Sequence, residues 1–174
     1  MGGDMAKQTV RILGIDTSLR STGVGIIEVR GAEMRALAYG RIQNKPKVPH
    51  SECLENIYKT ISDLIEDHKP DCAAIEGAFF AKNPKTAMVL GQARGAAIAA
   101  CAVQQLTISE HTPRKVKSAV VGTGTADKTQ VAKMVMRLLN LKEQPQEDAA
   151  DALAIAICHH HQLALPKEMQ AKTI

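Results

Sequence analysis

From Val10 the chain reads Val-Arg-Ile-Leu-Gly-Ile-Asp, an apolar run that predicts a buried strand closing on a carboxylate at Asp16. Residues 23–30 and 34–41 predict two more strands joined by short turns, so the chain opens with a three-strand meander. Residues 44–50, with Pro46 and Pro49, form a loop. Leu54, Ile57, Tyr58, Ile61, Leu64 and Ile65 then recur at helical spacing behind Ser51, which is expected to cap the helix. Residues 72–76 are too short for a helix and predict a parallel strand returning through the crossover, and this strand also ends in an acid, Glu76. Residues 84–105 are strongly helix-forming and residues 106–110 predict a fifth strand. Three helical segments follow at 114–121, 127–139 and 147–163, the second opened by the capping pair Asp127 and Gln130.

Antiparallel strands followed by strand-helix alternation predict an α/β fold, a five-stranded mixed sheet flanked by helices on both faces. No linker divides the 174 residues, so one domain is expected over residues 8–166. Residues 1–7, in which Met-Gly-Gly-Asp precedes a second methionine, read as an alternative start or a leader. They and residues 167–174 are expected to be flexible.

Composition refines this picture in three respects. Two Tyr, two Phe and no Trp leave an aliphatic, Ala-rich core, which makes any exposed Phe informative. A net charge of +4 is mildly basic, weakly pointing to a polyanionic partner. Cys53, Cys72, Cys101 and Cys158 show no paired spacing, and the first residues lack a signal-peptide pattern, so reduced thiols and a cytoplasmic location are expected. The longest apolar stretches, near residues 96–103 and 152–158, fall short of the roughly 18 residues that span a bilayer, so no membrane segment is expected.

The acids carry the candidate chemistry. A carboxylate closing an apolar strand is costly unless it is paired or binds a cation. Asp16 is also compatible with a turn, because Thr17, Ser18 and Gly23 follow; Glu76 is a poorer turn residue. Asp148 and Asp151 stand three apart at the start of a helix and share a face, where they could serve merely as dipole partners. The apolar run 152–157 that follows, however, seats this helix against the sheet and carries both acids toward the strand ends. If the strand ends are neighbours, four carboxylates crowd together and cannot all stay ionised without cations. Oxygen ligands suit Mg²⁺ or Mn²⁺ rather than zinc, and Mg²⁺ pairs few carboxylates with substrate phosphate oxygens, which points to phosphodiester chemistry.

Taken in order, Ile12-Leu13-Gly14-Ile15-Asp16, Thr22-Gly23, Ala74-Ile75-Glu76, Phe79-Phe80-Ala81-Lys82-Asn83, Leu90-Gly91-Gln92-Ala93-Arg94-Gly95, Val120-Val121-Gly122 and Asp148-Ala149-Ala150-Asp151-Ala152-Leu153 resemble the RuvC-type Holliday-junction resolvases. The resemblance runs from about residue 11 to residue 161. It implies a ribonuclease-H-like fold, a homodimer, and two Mg²⁺ ions, replaceable by Mn²⁺, held by Asp16, Glu76, Asp148 and Asp151. It further implies paired, symmetric hydrolysis of four-way DNA junctions in recombination and repair, with a branch-migration helicase as a possible partner. The family's Asp-Pro-Gly is Asp16-Thr17-Ser18 here, which removes a preset turn but leaves the ligand.

Phosphate contacts must come from basic residues, with Lys82, Lys85, Arg114, Lys115, Lys117 and Lys128 as candidates. The resemblance favours Lys117 and Lys128 near the catalytic centre and gives Lys128 a catalytic role. Phe79 is the candidate wedge that stacks on an unpaired base, while Phe80 is expected in the core. Gly91 and Gly95, with Ala87, Ala96 and Ala99, make a small-residue seam that permits close helix approach, either on the chain's own sheet or, as the resemblance implies, on a second copy. Cys158-His159-His160-His161 falls at a helix end where neighbouring side chains diverge, so no metal site is read there. Two other readings compete: a ribonuclease-H-like nuclease acting on RNA or hybrids, and an actin-like phosphotransferase, to which Asp16-Thr17-Ser18 is similar.

Overall fold

The first three strands, β1 (Thr9–Asp16), β2 (Ser21–Arg30) and β3 (Glu33–Gln43), form the expected antiparallel meander in a computed structural model that describes residues 8–77 and 83–174. Helix α1 (His50–His68) carries the chain back to β4 (Cys72–Glu76), which pairs parallel to β1. Helix α2 (Pro84–Val103) leads in the same way to β5 (Thr107–His111), parallel to β4. Helices α3 (Pro113–Val121), α4 (Lys128–Leu138) and α5 (Glu147–Leu163) complete the chain. The five strands form the expected mixed sheet, in the order β3-β2-β1-β4-β5.

Alternation along the strands divides the core in two. Leu13, Ile15, Ala73, Ile75 and Ile108 face α1 and α2, whereas Ile12 and Ala74 face α3, α4 and α5. The side chain of Asp16 therefore belongs to the α5 face of β1, and that of Glu76 to the α5 face of β4.

Helix α5 lies on that face with almost no gap. A Cβ on Gly14 would fall 2.0 Å from the Ala152 carbonyl oxygen, and one on Gly23 1.9 Å from that of Asp148. Both obstacles are main chain and cannot yield, so only glycine permits this approach. The two glycines thus bring the first turn of α5 down onto the strand ends.

Three expectations need correction. Helix α1 starts one residue before Ser51: Pro49, in an extended conformation, is the N-cap, and the first helical bond runs from the Cys53 amide to the Pro49 carbonyl at 3.0 Å. Residues 167–174 do not hang free. Lys167–Met169 make a single 3-10 turn, Thr173 forms a bridge with Ser109, and the Ile174 amide donates to the Ile108 carbonyl at 2.9 Å. The tail thereby covers the outer edge of β5, which would otherwise offer unpaired backbone groups. Finally, α2 is long and apolar enough to cross a membrane by length and composition, unlike the stretches weighed in the sequence. It is nevertheless tied into the fold by Ala93, Ala97, Ala100 and Cys101, which are buried against the sheet and α1.

Candidate active site

Strand pairing sets the first two acids side by side. The β1–β4 ladder ends at Ile15↔Ile75, so Asp16 and Glu76 are the next residues on adjacent strands, at an inter-strand spacing of about 4.8 Å. Asp148 and Asp151 descend on them from the first turn and a half of α5. Asp16, Glu76 and Asp151 line one cavity of about 340 Å³ together with Lys117 of α3 and Lys128, the first residue of α4.

The capping box predicted for α4 is present. The Asp127 side chain accepts from the Gln130 amide at 2.8 Å, and the Gln130 side chain accepts from the Asp127 amide at 2.9 Å. This fixes where Lys128 leaves the helix. Its ammonium bonds to Glu147 and lies 3.9 Å from Oδ2 of Asp151.

Crowding is expressed in the proton affinities. Asp16 is pushed up to about 7, first by burial and then by the charges of Glu76, Asp151 and Asp148, with Lys128 opposing. Burial followed by Asp151 raises Glu76, against Lys128 and Lys117. Asp151 is also raised, mainly by burial, with Lys128 pulling the other way. Asp148 accepts a hydrogen bond from the Ser21 hydroxyl through Oδ2.

The donor set fits a hard divalent cation: every ligand candidate is a carboxylate oxygen, and the groups are too close to be comfortable as free anions. Among the described residues no three acid, His or Cys side chains are drawn to within metal-caging distance of one another. Mutual repulsion favours such an open arrangement, and Mg²⁺ commonly completes its octahedron with water and phosphate oxygens.

The remaining predicted residues divide. Lys117 and Lys128 reach the acids. Arg114 is exposed on α3, its side chain lying over Gly124, and Lys115 is half-buried on the same helix. Lys85 lines a separate cleft with Ser18 and Arg20. Phe79, Phe80 and Lys82 lie outside the described residues.

The loop that lacks the family's Pro-Gly is closed by Thr22, which is fully buried: its hydroxyl donates to the Ser18 carbonyl at 2.5 Å and accepts from the Ser18 amide at 3.2 Å. Of the terminal histidines, His159 turns inward, its Nδ1 3.0 Å from Nε2 of His111, while His161 Nδ1 is 3.1 Å from the Ala119 carbonyl oxygen. Burial above all lowers both His111 and His159 to about 4, so the pair is neutral at pH 7.

Sequence reading missed two participants: Ser21, which bonds to Asp148, and Glu147, which holds Lys128. Ser21 left no signal in the sequence.

Residues 12–159 match the family model described as crossover junction endodeoxyribonuclease RuvC. The chain belongs to the RuvC family. A RuvC from Idiomarina loihiensis is 51% identical over 154 residues, covering 86% of each chain. Another, from Alkalilimnicola ehrlichii, is 46% identical over 162 residues, covering 93% of this chain and 95% of the relative. Among solved structures, Thermus thermophilus RuvC in complex with a Holliday junction substrate superposes with a TM-score of 0.88 at 31% identity, covering 95% of this chain and 99% of that one. The yeast mitochondrial Holliday junction resolvase, at 14% identity and a TM-score of 0.64, shares the fold. RuvC membership sets aside the phosphotransferase reading of Asp16-Thr17-Ser18.

Proposed function

We propose that the chain is a divalent-metal-dependent endonuclease that resolves four-way DNA junctions by paired, symmetric cuts in recombination and repair. The observation carrying this reading is the convergence of Asp16, Glu76 and Asp151 on one cavity, where these half-buried carboxylates already resist ionisation; Asp148, beside them on the first turn of α5, does not line that cavity. These four would hold two Mg²⁺ ions, with Mn²⁺ able to replace them. When bound, the ions supply Lewis acidity toward the attacking water and the departing 3′ oxygen of an in-line displacement.

The chain's own residues do the rest. Ser21 fixes one oxygen of Asp148 and leaves the other free to bind. Lys128, restrained by Glu147 and close to Asp151, offers a cation to the scissile phosphate while offsetting the charge of the acids. Lys117 does the same from the α3 side, and Arg114 extends the basic surface along that helix for backbone contacts. Phe79 and Lys82 belong to this reading as the wedge and a phosphate contact, on the strength of the sequence.

Two active sites are needed to cut two strands of like polarity, and a two-fold homodimer supplies them. Support comes from α2, where Met88, Gly91, Gly95, Ala99 and Val103 share an exposed face, and a Cβ on Gly91 or Gly95 would meet nothing within 4 Å. Gly91 and Gly95 are thus not packed against the chain's own sheet and are open to a second copy, whereas Ala96 of the same seam packs on the core. A branch-migration helicase as partner and a cytoplasmic location complete the proposal.

Incubation with a synthetic four-way junction, a plain duplex and an RNA/DNA hybrid, with Mg²⁺ or with EDTA, tests it. Symmetric, ligatable nicks in the junction alone, dependent on Mg²⁺, are expected. Equal cutting of the hybrid would transfer the activity to RNA-directed hydrolysis.

A further inference from the structure

The acids lie on the α5 face of the sheet, yet the strand that carries Glu76 is gripped from the opposite face. Arg94 projects from α2, and its Nη1 donates to the main-chain carbonyl of Glu76 at 2.6 Å. Its Nη2 is paired with Oε2 of Glu110 on β5. The Arg94 side chain is 17% exposed, so both bonds are largely shielded from water.

This grip falls where the sheet stops holding β4. Pairing to β1 ends at Ile75, while pairing to β5 continues to Glu76↔His111, and the Gly77 amide donates to the His111 carbonyl at 2.7 Å. On the β1 side, Arg94 therefore supplies a donor just past the last ladder rung. Glu110 in turn lies across Gly77, where an added Cβ would come 2.3 Å from its Cγ. The arginine fork, Glu110 and the end of β4 make one clamp around the main chain of Glu76.

We propose that Arg94 is a positioning residue: by fixing the Glu76 carbonyl from behind the sheet, it sets where the Glu76 carboxylate sits relative to Asp16. The proposal rests on the reading of Glu76 as a metal ligand and deepens it. A planar guanidinium can serve two acceptors through two nitrogens held in fixed geometry, whereas a lysine ammonium keeps the attraction to Glu110 without that fork. Charge balance and positioning thus make different demands on residue 94.

The test uses Arg94→Lys, Arg94→Gln and Glu110→Gln, with Glu76→Gln as control. Mg²⁺ and Mn²⁺ binding to the DNA-free protein is measured by calorimetry, junction binding in EDTA by gel shift, and folding by circular dichroism. Groups that orient metal ligands typically change affinity by about 10- to 100-fold, and a loss of about 10-fold is expected for both Arg94 variants. Their junction affinity in EDTA should be unchanged. Glu110→Gln, which keeps an acceptor for Arg94, should lose much less.

Wild-type metal affinity in Arg94→Lys would overturn the proposal, since charge alone would then suffice. Loss of fold in both Arg94 variants would overturn it too, making Arg94 a structural residue. The underlying reading fails separately: full cleavage by Glu76→Gln would remove Glu76 from the metal site whatever Arg94 does.

Discussion

Ser21 donates its hydroxyl to Oδ2 of Asp148, joining the first residue of β2 to the first turn of α5 across 127 positions of sequence. The bond selects one rotamer of a carboxylate that the Gly23 contact has already brought down onto the strand ends. Ser21→Ala should therefore raise the Mg²⁺ concentration for half-maximal cleavage by about 10-fold, the usual scale for a group that orients a ligand. Ser21→Thr, which keeps the hydroxyl, should restore most of it. An unchanged Mg²⁺ dependence in Ser21→Ala would mean that Asp148 needs no such restraint.

Asp16 should destabilise the metal-free protein at neutral pH. Its folded-state affinity for a proton is raised from 3.8 to about 7, so the folded state binds more protons than the unfolded one between those values. The stabilisation from that proton is present below pH 3.8 and is lost as pH rises through about 7. Asp16→Asn, which removes the charge, should thus melt higher than wild type in EDTA, by a margin that widens between pH 5 and pH 8. Cleavage by the same variant should be abolished while junction binding persists. A lower melting temperature at pH 8, measured by calorimetry, would show that the acids do not oppose one another.

Much of this site is legible in the sequence, and the reason is physical. Asp16 and Glu76 interrupt apolar strands at their ends, where a charge has a desolvation cost and demands an explanation. The Asp127–Gln130 box declares itself through local spacing alone, and the close seat of α5 follows from an apolar helix with no polar face. What stayed hidden depends on partners distant in sequence. Ser21 is an ordinary serine until Asp148 is brought to it, and Arg94 could be read as an interruption of an apolar helix but not as a grip on Glu76. The tail at 167–174 looked unbound because its partner, the outer edge of β5, exists only once the sheet has formed. Pro49 took the cap expected of Ser51, since an extended proline can present its carbonyl to the first turn without any side-chain bond.

Lys128 should matter more to turnover than to binding. It partly neutralises Asp16, Glu76 and Asp151, so Lys128→Ala should push their proton affinities higher still and shift the rising limb of the pH–rate profile to higher pH. The salt dependence of junction binding should lose about one unit of slope, the share of a single phosphate contact. Equal losses in binding and rate, without a shift of the profile, would reduce Lys128 to a surface contact.

The outward face of α2 offers a separate test. Gly91→Leu and Gly95→Leu enter open space and replace a poor helix former, so the monomer should gain about 0.5–1 kcal/mol in helix stability per site. Close approach of a second copy should be blocked. Sedimentation should then report monomers, and nicks in the two junction strands should become uncoupled in time. A persistent dimer would move the interface elsewhere.

Manganese titration followed by electron paramagnetic resonance reads the metal site directly in the DNA-free protein. The wild type should take up Mn²⁺ at this site, and Asp16→Asn and Asp151→Asn should each weaken that uptake sharply, because both remove oxygens from one shared site. Undiminished Mn²⁺ binding in both variants would contradict the claim that these strand-end and helix-turn acids form a single cation site.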